Sequence, residues 1–324
     1  MGGCISRSVP TPFYPSPAPS PDSYIPRSVP HRSIVPRLKT WFLILFAIYY
    51  ILCSIVQTHS MANRLSYNYI EEYLEHIQSK GSYTVTLDEL KAQFDSSEKA
   101  IHQNIFRLKR KNQLAQVRKG FYVIIPPQYS SKGMVPPTLF MDDMMRFLRR
   151  DYYVGLLSAA ALHGAGHQQP MEFQVIIKKP PLRRIKNRKL NINFFIKKHW
   201  NSDQITEKKT ETGYLKVSSP ELTVFDLVDY NKKIGGLNRI LPILEELAEE
   251  VKPSTLRQIA KTQKTPNLQR LGYLLDALGR DKLCESLLKV LGNKPEPILL
   301  SLAHRSRGST NRKWGVVINA GLDI

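Results

Sequence analysis

The chain has 324 residues, 42% of them hydrophobic and 23% charged, which fits globular protein with room for two domains and excludes a disordered or fibrous chain. Lys and Arg outnumber Asp and Glu by 47 to 27, and the net charge of +20 points to a polyanionic partner, nucleic acid before an anionic membrane surface. Three cysteines, Cys4, Cys53 and Cys284, are too scattered for a disulfide framework or a cysteine-rich zinc site, and they fit a reducing cytoplasm.

Residues 1–60 differ from the rest. A Pro/Ser-rich stretch runs to Pro36, and residues 41–56 are sixteen apolar or nearly apolar positions, slightly short for a spanning helix and with no small-x-small cleavage site behind them. Insertion of that segment would hold Arg32, Arg37 and Lys39 in the cytoplasm and export everything after it, including any DNA-binding body. Met61 opens an ordinary cytoplasmic start, so 1–60 reads as an upstream leader outside the native product; the rival is a membrane anchor at 41–56. Without the five basic and one acidic residue of this leader, 42 cations still face 26 acids.

From 61 to 126 the pattern is that of a winged helix-turn-helix. Tyr67, Ile70, Tyr73, Leu74 and Ile77 fall on one helix face, and Gly81 ends the helix. Thr86 with Glu89 makes a capping-box pattern ahead of a second helix bearing Leu87, Leu90 and Phe94. A third helix, 98–111, turns Ile101, Ile105 and Leu108 inward and leaves His102, Gln103, Asn104, Arg107, Lys109, Arg110 and Lys111 on its other face. Two extended stretches, 114–117 and 121–125, are joined by Arg118-Lys119-Gly120, a turn with cations at its tip, as a wing has. The expected partner is double-stranded DNA, with the third helix in the major groove. Gln103, Asn104 and Arg107 are candidates for base or groove contacts, and Lys109, Arg110, Arg118 and Lys119 for phosphates. Six cations and no acid between 107 and 119 favour this over a solvated face; protein docking is the other use of such a fold.

Residues 127–137, with a proline pair at each end, read as a linker. The segment 151–167 is predicted as a helix rich in small residues, 173–177 and 190–196 as strands, and 221–230, 237–250, 254–261, 267–278 and 282–291 as helices, with 314–318 a late strand. The fold class is therefore α+β: an N-terminal winged helix-turn-helix, then a larger mixed, mostly helical domain over 138–324.

Several segments carry a resemblance: Tyr152 to His163 with its Ser158-Ala-Ala-Ala-Leu-His-Gly core, Val217-Ser-Ser-Pro-Glu-Leu-Thr-Val-Phe-Asp-Leu-Val, Gly235-Gly-Leu, Leu268-Gln-Arg-Leu-Gly-Tyr-Leu-Leu and Trp314. In this order they resemble the AbiEi antitoxin family of abortive-infection, type IV toxin–antitoxin systems, a phage-defence class. The resemblance implies a transcriptional repressor that binds repeats in its own promoter, a C-terminal domain that supports antitoxicity, and a nucleotidyltransferase-like toxin counteracted without a stable complex. The implied location is cytoplasmic, at the nucleoid. The leader lies outside the resemblance.

Between 178 and 198 lie nine cations and no acid, among them Lys178, Lys179, Arg183, Arg184, Lys186, Arg188 and Lys189. This run is either a solvated loop or a second polyanion surface that extends the DNA footprint or contacts RNA. His163 and His167 are spaced as metal ligands, but Gly164 and Gly166 interrupt the helix and no third ligand is near in sequence, so helix-end packing is expected and no metal. Asp142-Asp143 has no partner acid at active-site spacing and reads as solvated. No phosphate-binding glycine loop or nucleophile elbow is present. The chain is expected to be no enzyme and to hold no cofactor. The competing classes are a nucleic-acid-processing enzyme and a membrane-anchored binding protein.

Overall fold

A computed structural model describes residues 70–166, 170–292, 295–302 and 308–323, all within one compact unit, Ser66–Ile324. The leader and the apolar segment 41–56 lie outside the described residues. Among the described residues no helix is long and apolar enough to cross a membrane.

The first elements are α1 (Ile70–Ser79), β1 (Thr84–Thr86), α2 (Leu87–Gln93), α3 (Glu98–Arg110), β2 (Leu114–Arg118) and β3 (Phe121–Ile124). Local chemistry sets their boundaries. Thr86 caps α2: its side-chain oxygen accepts from Glu89 N at 3.1 Å, while Glu89 Oε2 accepts from Thr86 N at 2.7 Å. Ser97 Oγ accepts from Ala100 N and opens α3. The strands form an antiparallel sheet in the order β1-β3-β2, and Gly120 supplies the positive φ, +78°, that the tight turn between β2 and β3 requires. Ile101, Ile105 and Leu108 of α3 are buried with Ile70, Leu74, Leu90, Leu114, Tyr122 and Ile124.

All four residues of β3 are buried, because both of its faces are covered. Tyr122 and Ile124 pack against the three helices, whereas Phe121 and Val123 enter a second core with Met134, Val135, Met141 and Met144. The residues between 127 and 137 are thus part of the packing: Met134 and Val135 are buried there.

After α4 (Met141–Phe147) comes β4 (Tyr152–Val154), followed by α5 (Leu156–Leu162), β5 (Phe173–Ile177), β6 (Ile185–Lys186), β7 (Asn191–Ile196), β8 (Ile205–Thr210) and β9 (Gly213–Ser218). The strands form one mixed sheet ordered β6-β7-β5-β4-β9-β8. Its two faces are read from the side-chain alternation. Tyr152, Val154, Val175 and Ile177 face the core that receives β3, while Tyr153, Ile176 and Phe195 face a layer of helices. That layer contains α6 (Pro220–Asp229), α7 (Asn231–Ile234), α8 (Leu237–Leu247), α9 (Pro253–Ala260), α10 (Thr265–Ala277) and α11 (Asp281–Leu291). Three short strands, β10 (Ile298–Leu299), β11 (Thr310–Asn311) and β12 (Val316–Val317), make a small sheet near the end. The result is a mixed α/β architecture.

Two sequence expectations change. The helix predicted over 151–167 is a strand, a break and a short helix: Tyr152, Tyr153 and Val154 pair with Ile177, Ile176 and Val175 in the sheet interior. Gly155 marks the break, where an added Cβ would stand 2.8 Å from Ile176 Cδ1. β8 and β9 fall where periodicity predicts no element. β8 is an edge strand whose residues are exposed or half-buried, so it lacks the apolar alternation that announces a strand.

Candidate nucleic-acid interface

Burying Ile101, Ile105 and Leu108 leaves His102, Gln103, Phe106, Arg107, Lys109 and Arg110 exposed along α3. Asn104 is half-buried and already engaged. Its Nδ2 donates to Ala100 O at 3.1 Å, and its Oδ1 accepts from Arg107 at 2.5 Å, which braces the Arg107 guanidinium. Phe106, 60% exposed, stands among these polar groups. It falls off the inward 101, 105, 108 set, a position that helical spacing alone could have flagged.

At the β2–β3 turn the two cations part ways. Lys119 is exposed, whereas Arg118 is half-buried, donates to Arg183 O at 2.5 Å and lies 5.5 Å over the Phe194 ring. Burial lowers the pKa of its guanidinium, though an arginine stays cationic. Arg118 is thus a joint between the three-stranded sheet and the strand edge beside it.

That edge is the basic run. Part of it is β6, paired with β7, and Lys178, Lys179, Arg183, Arg184, Lys186, Arg188 and Lys189 are all exposed. Lys178 pairs with Asp151 at 2.8 Å and Arg184 with Glu172 at 2.8 Å, and Lys189 Nζ donates to Asn112 Oδ1 at 3.0 Å. Through Arg118–Arg183 and Lys189–Asn112 the fold joins α3, the turn and the β6 edge. Lys178 and Lys179 belong elsewhere: Lys178 sits 5.0 Å over the Trp200 ring, and Lys179 lines a cavity with Lys197 and Lys198.

Asp142 and Asp143, expected from the sequence to be solvated, are half-buried and held by partners. Asp143 Oδ2 accepts from Thr84 Oγ1 at 2.9 Å, Asp142 Oδ1 accepts from the Tyr152 hydroxyl at 2.9 Å, and Arg146 forks onto both carboxylates. Asp143 thus faces Thr84 of β1, and Asp142 faces Tyr152 of β4. Burial raises the pKa of Asp143 against the opposing pull of the Thr84 hydrogen bond. A cavity of about 440 Å3 adjoins them, and Glu207 lines it too, an acid 64 residues on that no spacing argument could join to the pair; Arg146, Arg150 and Lys216 balance the three charges. His163 caps α5, and its Nε2 donates to Ser218 O at 2.7 Å; His167 lies outside the described residues.

Residues 153–277 match the family model described as the AbiEi antitoxin C-terminal domain. The chain carries an AbiEi antitoxin domain. The match includes most of the sheet and α5 to α10, and four of the five segments of the sequence resemblance fall in it wholly or nearly so. Among solved structures, the fold resembles the RV2827C protein of Mycobacterium tuberculosis, with a TM-score of 0.57 at 18% identity over 76% of this chain and 89% of that one. This likeness reaches beyond the AbiEi domain and speaks for the fold alone. A nucleotidyltransferase-like protein of Paracoccidioides brasiliensis aligns at a TM-score of 0.31, with 12% identity over 45% of this chain and 88% of that one, too low to carry argument. No curated protein matches.

Proposed function

We propose that the chain is an antitoxin and transcriptional autorepressor of a type IV toxin–antitoxin operon, dividing into a winged-helix domain at 61–126, a connection at 127–137 and the antitoxin domain at 138–324. The AbiEi domain supports the antitoxin part. What supports DNA binding is one observation above the others: α3 presents Gln103, Arg107, Lys109 and Arg110 to solvent on the element that precedes the β2–β3 turn. In this reading α3 enters the major groove of promoter repeats, with Gln103 and Arg107 against base edges. Asn104 holds Arg107 in position, Lys109, Arg110 and Lys119 grip phosphates, and Arg118 fixes the turn to the body. Arg183, Lys186 and Arg188 extend the phosphate contacts along the β6 edge. The nucleotidyltransferase-like toxin is counteracted without a stable complex, and the protein performs no catalysis of its own. It acts in the cytoplasm, at the nucleoid.

The test is binding of the protein to labelled DNA from its own upstream region, against scrambled competitor, over a salt series. Competitor-resistant binding that Arg107→Ala weakens is the expected result. Equal affinity for both DNAs would overturn the repressor reading.

A further inference from the structure

A cavity of about 600 Å3 opens between the segment that follows β7 and the turn joining α9 to α10. Lys179, Lys197, Lys198 and Lys264, with His199, line it against a single carboxylate, Asp229. That carboxylate is already engaged, by Asn267 Nδ2 at 2.7 Å and Lys264 at 3.7 Å. Behind the wall, Asp226 is fully buried and accepts from Lys197 Nζ at 2.6 Å and from the Tyr153 hydroxyl at 2.8 Å. Lys197 is therefore neutralised from within and Lys264 shares Asp229, and the exposed ammonium groups of Lys179 and Lys198 leave the cavity with a net positive charge.

The same cavity holds an aromatic plane. Trp200 is half-buried, with the Tyr153 ring edge-on at 5.1 Å and Lys178 at 5.0 Å from its centroid. An indole fixed by its neighbours stacks on a ligand without first being ordered. Cations exclude an apolar ligand, and the space exceeds what an inorganic anion fills; a cavity of this size suits a small organic molecule. A buried ion pair behind such a wall adds little stability, since apolar side chains of the same volume pack as well, whereas buried ionisable groups beside a cleft are a mark of functional sites.

We propose that this cavity binds a phosphorylated nucleotide, its base against Trp200 and its phosphate among Lys198, Lys264 and Lys179. The ligand is either a free mononucleotide or the terminal nucleotide of a single strand. This does not rest on the repressor reading.

The experiment titrates the full chain with AMP, GMP, CMP and UMP, with inorganic phosphate, and with a single-stranded oligoribonucleotide with and without a 5′-phosphate, following tryptophan fluorescence and calorimetric heat. Saturation by mononucleotides identifies a free ligand, and saturation by the phosphorylated strand alone identifies a strand end. Trp200→Ala is expected to weaken binding roughly 5- to 100-fold, with Trp200→Phe recovering most of it. Lys198→Ala with Lys264→Ala is expected to weaken it and flatten its salt dependence, with circular dichroism and upstream-DNA binding unchanged. Should Trp200→Ala unfold the chain, Trp200→Phe and the lysine pair carry the test. No saturation by any ligand up to about 1 mM, inorganic phosphate binding as tightly as the nucleotides, or indifference to these substitutions would overturn the proposal.

Discussion

Arg118, on the β2–β3 turn, donates from its guanidinium to the carbonyl oxygen of Arg183, 65 residues away, and rests over the ring of Phe194. A charged hydrogen bond and a cation–π contact together are worth about 2 kcal/mol. Arg118→Ala is expected to lower the unfolding free energy by about that much in a denaturant titration, and Arg118→Lys to recover little, because an ammonium offers no planar fork. Wild-type stability in both variants would show that the joint carries no weight.

On α3, Arg107 and Lys109 are expected to differ in kind. Arg107→Ala should narrow the gap between operator and scrambled DNA by about 1–3 kcal/mol, whereas Lys109→Ala should weaken both DNAs alike and reduce the log–log salt slope by about 1. The measurement is fluorescence anisotropy on both DNAs at several salt concentrations. A salt slope that stays unchanged in Lys109→Ala removes that residue from the phosphate contacts.

Gly272 lies in α10 with the Trp314 indole against it; an added Cβ would stand 2.0 Å from Trp314 Cζ3. Trp314 is fully buried, and its Nε1 donates to Asp276 Oδ2 at 3.2 Å. Gly272→Ala is expected to destabilise by about 2–3 kcal/mol through overpacking. The double variant Gly272→Ala with Trp314→Leu should lose less than the two single losses together. Strict additivity in thermal unfolding would refute the contact.

The imidazole of His163 has its pKa pulled below the ordinary value, first by burial, with the hydrogen bond to Ser218 O opposing. A histidine whose folded pKa is depressed favours the folded state while neutral. Its contribution is present above the unfolded pKa of about 6.5 and is lost as pH falls from there through the folded value. Between about pH 7.5 and about pH 5.5 the wild type is expected to lose more melting temperature than His163→Gln. Parallel melting curves for the two proteins would rule the histidine out as the source.

What could be read from sequence was what neighbours in sequence decide. The Thr86–Glu89 capping box and the inward spacing of Ile101, Ile105 and Leu108 are local, and the structure has both. The strand Tyr152–Val154 was hidden because three residues ahead of an alanine-rich helix show no period of two, and its assignment comes from the strands on either side. Arg118 read as a tip cation because nothing nearby in sequence reveals Phe194 or Arg183. Asp226 with Lys197, and Glu207 beside Asp142, are brought together by sheet order and helix packing, which spacing does not encode.

β3 turns Tyr122 and Ile124 to one core and Phe121 and Val123 to another, so its two faces stand or fall together. Severing the chain between 127 and 137 would strip Phe121 and Val123 of cover and leave an apolar stripe prone to aggregation. Under the proposed function, in which one chain is both antitoxin and autorepressor, this ties two fates into one. On that proposal, a cellular protease that destroys the protein would free the promoter and withdraw the antidote in the same event, and the turnover of one polypeptide would set both the resupply of the pair and the moment the toxin is released.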